Sequence, residues 1–124
     1  MWVRVNPNPA KKNVPDCVIR AICIALNMPW TLVSRELGDL ATREFSVTCD
    51  DNVWGKYLWQ LGFIPFVIPY NTGMGFTIRE FADIFNRGTY IIGTGNHAVA
   101  VINGCYFDSW DSGDEWCSFY WCIQ

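Results

Sequence analysis

The segment HAVAVINGCYFD, residues 97–108, is predicted to form two short strands joined by a turn at Asn103-Gly104. Asn-Gly between two apolar runs is the strongest short-range signal for a β-hairpin, since both turn residues adopt positive φ. A two-residue turn also sets the register of the strands, with three predicted pairs: Ile102 with Cys105, Val99 with Asp108, and His97 with Trp110.

This register makes His97 and Asp108 diagonal neighbours on one face of the hairpin, about 7–8 Å apart at the backbone. That separation allows a hydrogen bond between the imidazole and the carboxylate. A base oriented by a carboxylate provides two parts of a nucleophilic triad. Trp110, predicted across from His97, would shield the contact from water and so strengthen it.

Cys17 is the predicted nucleophile, because it stands at the start of a helix. Pro15 restrains the chain, Asp16 is a candidate cap, and apolar residues recur at helical spacing from Cys17 to Asn27. Free N–H groups and the positive end of the helix dipole stabilise a thiolate there, and the same donors can hold an oxyanion. The alternative, a small buried cysteine, suits Cys23 better, since Cys23 lies mid-helix among apolar neighbours.

A cysteine at a helix start, then a histidine at the start of a strand, then an aspartate on the next strand resembles the papain-like cysteine peptidase fold. The resemblance is nearest to the bacteriocin-processing peptidase domains of peptide exporters and to a group of small proteins of phages and gut bacteria. Four segments carry it: residues 6–9, 16–21, 95–101 and 108–113. It implies Cys17 as nucleophile, His97 as general base, Asp108 as orienter, and a peptide or protein amide as substrate.

The chain departs from the papain-like pattern at the oxyanion donor. That pattern has a glutamine six residues before the cysteine, whereas this chain has Lys11 there. We expect an asparagine amide from the N-terminal arm to replace it, with Asn13 and Asn8 as the candidates and Asn6 as a further choice. Two prolines limit the freedom of this arm, so we expect it to be ordered against the domain.

Composition excludes several classes of function. At 124 residues, 51% hydrophobic and 16% aromatic, the chain has the size and content of one globular domain, residues 1–124, and is not disordered. The net charge of −3 and the scattered basic residues argue against a nucleic-acid partner. Without an apolar run of about 18–20 residues or a signal-like N-terminus, no membrane association is expected. We therefore expect a cytoplasmic protein, and the resemblance implies a bacterial host or a phage-infected cell.

The six cysteines favour neither a disulfide framework nor a metal site. Disulfides need an oxidising compartment, and a structural zinc site needs closely paired ligands such as Cys-x-x-Cys, which this chain lacks. The last two, Cys117 and Cys122, lie in an aromatic run that we interpret as a strand packed on both faces rather than a ligand platform. No metal and no cofactor are expected.

The remaining pattern predicts helices first and strands afterwards. We expect an irregular arm over residues 2–15, a polar loop over 42–50 and a glycine-containing loop over 69–76. Asp50 or Asp51 can cap the third helix, and Thr77 and Glu80 form a capping box for the fourth. The predicted helices cover 17–27, 30–41, 51–61 and 78–86, and the strands 63–68, 89–93, 97–102, 105–110 and 117–123. The order indicates an α+β fold with N-terminal helices packed on a C-terminal antiparallel β-sheet, and the resemblance implies that this fold is papain-like.

Two functional hypotheses follow. The first is a cysteine-nucleophile hydrolase or acyltransferase acting on an amide or isopeptide bond through Cys17, His97 and Asp108. The second is a non-catalytic module that keeps the fold to bind a phage or host protein, which the missing glutamine and the abundant aromatic residues favour. A fold alone does not establish an activity.

Overall fold

The computed structural model describes residues 1–68 and 75–123. The elements along these residues are β1 (Trp2–Arg4), α1 (Cys17–Leu26), α2 (Trp30–Arg43), α3 (Asp51–Gln60), β2 (Phe63–Val67), α4 (Ile78–Ile84), β3 (Thr89–Gly93), β4 (Ala98–Ile102), β5 (Cys105–Asp108) and β6 (Phe119–Ile123). The α+β class is therefore confirmed. Most of the loop predicted over 69–76 lies outside the described residues.

The sheet has six strands in the order β1-β5-β4-β3-β6-β2, and it is mixed rather than antiparallel. β1 runs parallel to β5, with Trp2 beside Tyr106 and Arg4 beside Asp108, while the other neighbours are antiparallel. The predictions of an irregular arm from residue 2 and of an all-antiparallel, C-terminal sheet were thus wrong. A three-residue strand is too short to show a period-two pattern, and its pairing with the far end of the chain leaves no local signal.

The central hairpin forms as its turn predicts. Asn103 and Gly104 both have positive φ, 48° and 84°, and Ile102 pairs with Cys105. The ladder between β4 and β5 continues to Ala100 and Phe107. The two outer predicted pairs are not part of it, because the chain bends at Ser109, directly after β5.

The sheet is covered on both faces, which explains why β4 is apolar at every position. Residues of α1, α2 and α3 share a buried cluster with Ala98 and Ala100, whereas α4 shares a second cluster with Val99 and Val101. Alanine at the positions facing α1 lets that helix approach β4 closely. The start of α1 is thereby brought to the start of β4.

Several local predictions are confirmed. Asp50 caps α3 through the N–H of Asn52, and Thr77 and Glu80 make a reciprocal capping box on α4. β2, which contains Pro65, is an edge strand, as a strand without a full set of donors should be. In β6, Phe119 and Trp121 pack against the α1–α3 cluster and Tyr120 against the α4 cluster, so this strand is packed on both faces.

Candidate active site

His97 and Asp108 meet at the end of the central hairpin. Nε2 of His97 lies 2.6 Å from Oδ2 of Asp108, a short, charge-assisted hydrogen bond. The His97 side chain is only 10% exposed, and the ring of Trp110 lies 5.1 Å from the imidazole, centroid to centroid. The indole thus lies beside the imidazole, even though Trp110 is outside the strand ladder.

Cys17 is the first residue of α1 and is half-buried beside the same imidazole. The thiol lies close enough to the His97 side chain and to the backbone N–H of Ala98, the first residue of β4, for both to lower its pKa. Since Nε2 of His97 is engaged by Asp108, Nδ1 is the ring nitrogen left for the thiol. The three residues predicted from the sequence thus lie together, with the imidazole between the thiol and the carboxylate.

The contacts shift the pKa values of thiol and imidazole in opposite directions. Burial by itself raises the pKa of Cys17, but His97, the Ala98 N–H and the charge of Arg20 outweigh it, so the pKa lies below the usual value for a thiol. Burial disfavours the charged imidazole, yet the hydrogen bonds with Asp108 and Cys17 raise the pKa of His97 to about 9. Both shifts favour a thiolate–imidazolium pair.

The Asp108 carboxylate is fully engaged. It is 3% exposed, and Oδ2 accepts from the Ser112 hydroxyl at 2.6 Å as well as pairing with His97. Oδ1 accepts from the Ser109 N–H at 2.8 Å and lies 3.4 Å from Nη2 of Arg20. Although burial raises its pKa, the contacts with His97, Ser112 and the Ser109 N–H bring the pKa of Asp108 below its ordinary value, so the carboxylate stays charged.

Sequence reasoning missed the buried ion cluster beneath the site. Arg20 is 7% exposed and forms an ion pair with Asp16, itself 5% exposed, while Nε1 of Trp30 donates to the other Asp16 oxygen at 2.9 Å. The signal was present as an opposite-charge pair four residues apart on a helix. Nothing local indicated that Arg20 would also reach Asp108, because that contact spans 88 residues.

The expectation that Asp16 caps α1 was wrong. Its side chain makes no cap hydrogen bond, since both carboxylate oxygens are occupied by Arg20 and Trp30. The first intrahelical bond at this end is Arg20 N–H to Asp16 C=O, at 2.8 Å. The N–H groups of residues 17–19, which the helix cannot use, therefore have no capping side chain to bind.

The candidate oxyanion asparagines behave differently from one another. Asn8 is buried, and its side-chain oxygen accepts from the N–H of Ala10, within the arm, whereas Asn13 is exposed. Asn6 binds the arm as well, donating to the carbonyl of Lys12. Within residues 1–68 and 75–123, no hydrogen bond joins any of these amides to Cys17, and their role as donors stays a prediction.

The other cysteines lack the environment of Cys17. Burial raises the pKa of Cys23 to about 11 and that of Cys117 to about 12, which makes both poor nucleophiles, and Cys49 is exposed. Among the residues that the structure describes, no group of three or more His, Cys, Asp or Glu side chains could hold a metal ion. No helix in that part of the chain is long and apolar enough to span a membrane.

Comparison of the chain with protein-family models, with curated proteins and with solved structures found no match. Any function must therefore be argued from the site itself.

Proposed function

We propose that this protein is a cysteine-nucleophile hydrolase or acyltransferase of papain-like type, acting on an amide or isopeptide bond of a peptide or protein. The observation that carries the proposal is the half-buried imidazole between the Cys17 thiol and the Asp108 carboxylate, with thiol and imidazole pKa values shifted toward the ion pair. A structural role needs no such arrangement. A nucleophile that must be charged at neutral pH does.

The reaction follows from the protonation states. The Cys17 thiolate attacks the amide carbon, forming a C–S bond and placing negative charge on the carbonyl oxygen. The His97 imidazolium then gives its proton to the leaving nitrogen as the C–N bond breaks, which leaves a thioester on Cys17. Neutral His97 then takes a proton from a water molecule or an acceptor amine while that water or amine attacks the thioester. The carbon–sulfur bond breaks, and the Cys17 thiolate is released. Asp108 holds the ring orientation throughout and stabilises the imidazolium.

Backbone donors at the start of α1 supply part of the oxyanion hole in this proposal. The N–H of Cys17, the first residue of α1, has no acceptor within the helix and is available for a developing oxyanion. An asparagine amide of the arm, Asn13 or Asn8, is the second donor we expect. Such donors are worth roughly a hundredfold or more in turnover each.

The six cysteines that carry no disulfide are consistent with a reducing compartment such as the cytoplasm, where a thiolate nucleophile persists. We keep a cytoplasmic location in a bacterial host or an infected cell as part of the proposal. No cofactor is needed for the chemistry.

The proposal is tested with iodoacetamide and p-nitrophenyl acetate as probes. Alkylation across pH 5–9, with each cysteine quantified after proteolysis, should show Cys17 reacting fastest near neutral pH, and His97→Ala should slow it. Multiple turnovers of the acetate ester should require both Cys17 and His97.

Exposed Cys49 is the internal reference for ordinary thiol reactivity, and Cys17→Ala is the matched control for turnover. Rapid labelling confined to Cys49, or hydrolysis that survives Cys17→Ala, would exclude the nucleophile role. A pool of unstructured peptides with product detection by mass spectrometry then extends the test from esters to amides.

The second candidate is a protein-binding module without catalysis. It is favoured by the large aromatic side chains left at the surface, Trp59 at 63% and Trp116 at 61% exposed. The two candidates separate on one result: a Cys17 thiol that is alkylated no faster than Cys49, in a protein with an intact fold, supports the binding module.

A further inference from the structure

Arg20 links the start of α1 to the acid of the site. Its guanidinium is buried, with Nη1 paired to Oδ1 of Asp16 and Nη2 3.4 Å from Oδ1 of Asp108. Asp16 immediately precedes Cys17, and Asp108 is the last residue of β5. One planar group therefore joins the nucleophile helix to the strand that carries the orienting carboxylate.

The two oxygens of Asp108 face different partners. Oδ1 lies toward Arg20 and the Ser109 N–H, which leaves Oδ2 for His97 and the Ser112 hydroxyl. A carboxylate with only His97 as partner could rotate and offer either oxygen, or turn away. With donors fixed on Oδ1, rotation would break them.

We propose that Arg20 is a positioning residue of the site, which fixes the Asp108 carboxylate toward His97 and is itself held by Asp16 and Trp30. The proposal rests on the function proposed above, since it assigns Arg20 a role in that same triad. Arg20 does not touch the reacting atoms in this arrangement; it acts through Asp108.

The geometry requires an arginine rather than any cation. The guanidinium is planar and presents donors in two directions, so it can engage two carboxylates at once, whereas an ammonium is a point charge on a flexible stem. Trp30 holds Asp16 from the opposite side, through the 2.9 Å bond of its Nε1. One end of the network, at Asp108, is buried, and the other, at Trp30, is partly buried.

The competing explanation is that Arg20 merely neutralises two buried carboxylates. If Arg20 only neutralised charge, a lysine in its place would serve as well. If Asp16 were also made neutral, it would need no cation beside it. Neither change would restore the placement of the Asp108 carboxylate toward His97. The two explanations therefore predict different results for variants that keep the charge balance but lose the guanidinium of Arg20, which donates in two directions.

The experiment uses the full chain and two readouts that folding alone does not move. His97 is the single histidine of the chain, so its titration is followed by one imidazole resonance in NMR. The pH profile of Cys17 alkylation by iodoacetamide is measured on the same samples, with thermal unfolding as the check on the fold.

For Arg20→Lys we expect a folded protein in which the His97 titration midpoint falls by about one pH unit and Cys17 alkylation at pH 7 slows about tenfold. For the double variant Asp16→Asn with Arg20→Gln, which leaves no unpaired charge at that pair, the His97 midpoint is the deciding readout, because the charge of Arg20 by itself lowers the pKa of Cys17. We expect that midpoint to fall at least as far as in Arg20→Lys. Should the double variant not fold, Arg20→Lys alone decides.

A folded Arg20→Lys protein with wild-type titration and alkylation profiles overturns the proposal, and so does a folded double variant with wild-type profiles. These failures are distinct from failure of the proposed function, which shows in the unmodified protein as a Cys17 thiol no more reactive than Cys49. Fast labelling in the unmodified protein together with unchanged variants would leave the triad intact and remove Arg20 from it.

Discussion

The starts of α1 and α4 differ in whether a side chain caps the free backbone N–H groups of the helix. At α4, the Thr77 side chain binds the Glu80 N–H and the Glu80 side chain returns to the Thr77 N–H, so the helix end is closed by its own residues. At α1, the equivalent side chain, Asp16, turns inward to a buried arginine and an indole. The first end is built for stability, whereas the second keeps its backbone donors available beside a thiol.

This difference shows how a helix start becomes a candidate reaction site. Any helix offers free N–H groups and a positive dipole end, and most chains cover them with a cap. Here the cap residue is used to hold Arg20 instead.

Asp108→Asn should have the largest effect, because it removes the charge that stabilises the imidazolium while keeping the shape of the side chain. Turnover of p-nitrophenyl acetate should fall by about a thousandfold or more. The His97 pKa, now about 9, should move back toward its ordinary value, as read by NMR.

Ser112→Ala is the matched control for Asp108→Asn. It removes one 2.6 Å bond to the same carboxylate and keeps the charge, so turnover should fall far less than in the asparagine variant. Equal losses in the two variants would mean that the charge of Asp108 is unimportant.

Asp16→Ala should destabilise the protein by about 3–5 kcal/mol, because it leaves Arg20 as a buried cation with one distant partner. Urea unfolding monitored by tryptophan fluorescence measures this. Asp50→Ala is the matched control, since Asp50 is also an aspartate at a helix start but acts as an ordinary cap through Asn52. That change should cost only about 1 kcal/mol. Similar costs for both would contradict the difference between the two kinds of helix start.

Much of this arrangement could be predicted from the sequence. Contacts between residues that lie far apart along the chain could not. The Asn103-Gly104 turn fixes the register that brings His97 to Asp108, and the periodicity after Cys17 fixes a helix start; both signals act over few residues. The parallel strand Trp2–Arg4 and the contact of Arg20 with Asp108 join residues about 90–105 apart, for which the pattern of one sequence holds no record. Asp16 was wrongly predicted to cap α1 for a different reason: its position before the helix was visible in the sequence, whereas the hydrogen bond that it accepts from the partly buried Trp30 was not.

The His97 pKa also predicts how stability changes with pH. The folded-state pKa of about 9 lies above the ordinary value of 6.5. The stabilisation from the charged imidazole is therefore complete below pH 6.5 and is lost as pH rises through about 9. Urea midpoints measured from pH 6 to 9.5 should decline for the unmodified protein relative to His97→Ala. A constant difference between the two proteins across that interval would rule out the raised pKa.

Thr77→Ala should give the smallest effect, and it isolates what an ordinary cap contributes. The substitution removes one half of the capping box on a seven-residue helix, so the free energy of unfolding should fall by about 1 kcal/mol. The α4 helix packs against Val99 and Val101, on the sheet face opposite the α1 cluster. Because the loss is confined to that end of α4, the alkylation profile of Cys17 and the titration of His97 should stay unchanged. If Thr77→Ala changed the alkylation of Cys17 or the titration of His97, the two helix starts would be coupled through the sheet. The distinction between a stabilising helix end and a reactive one would then no longer hold.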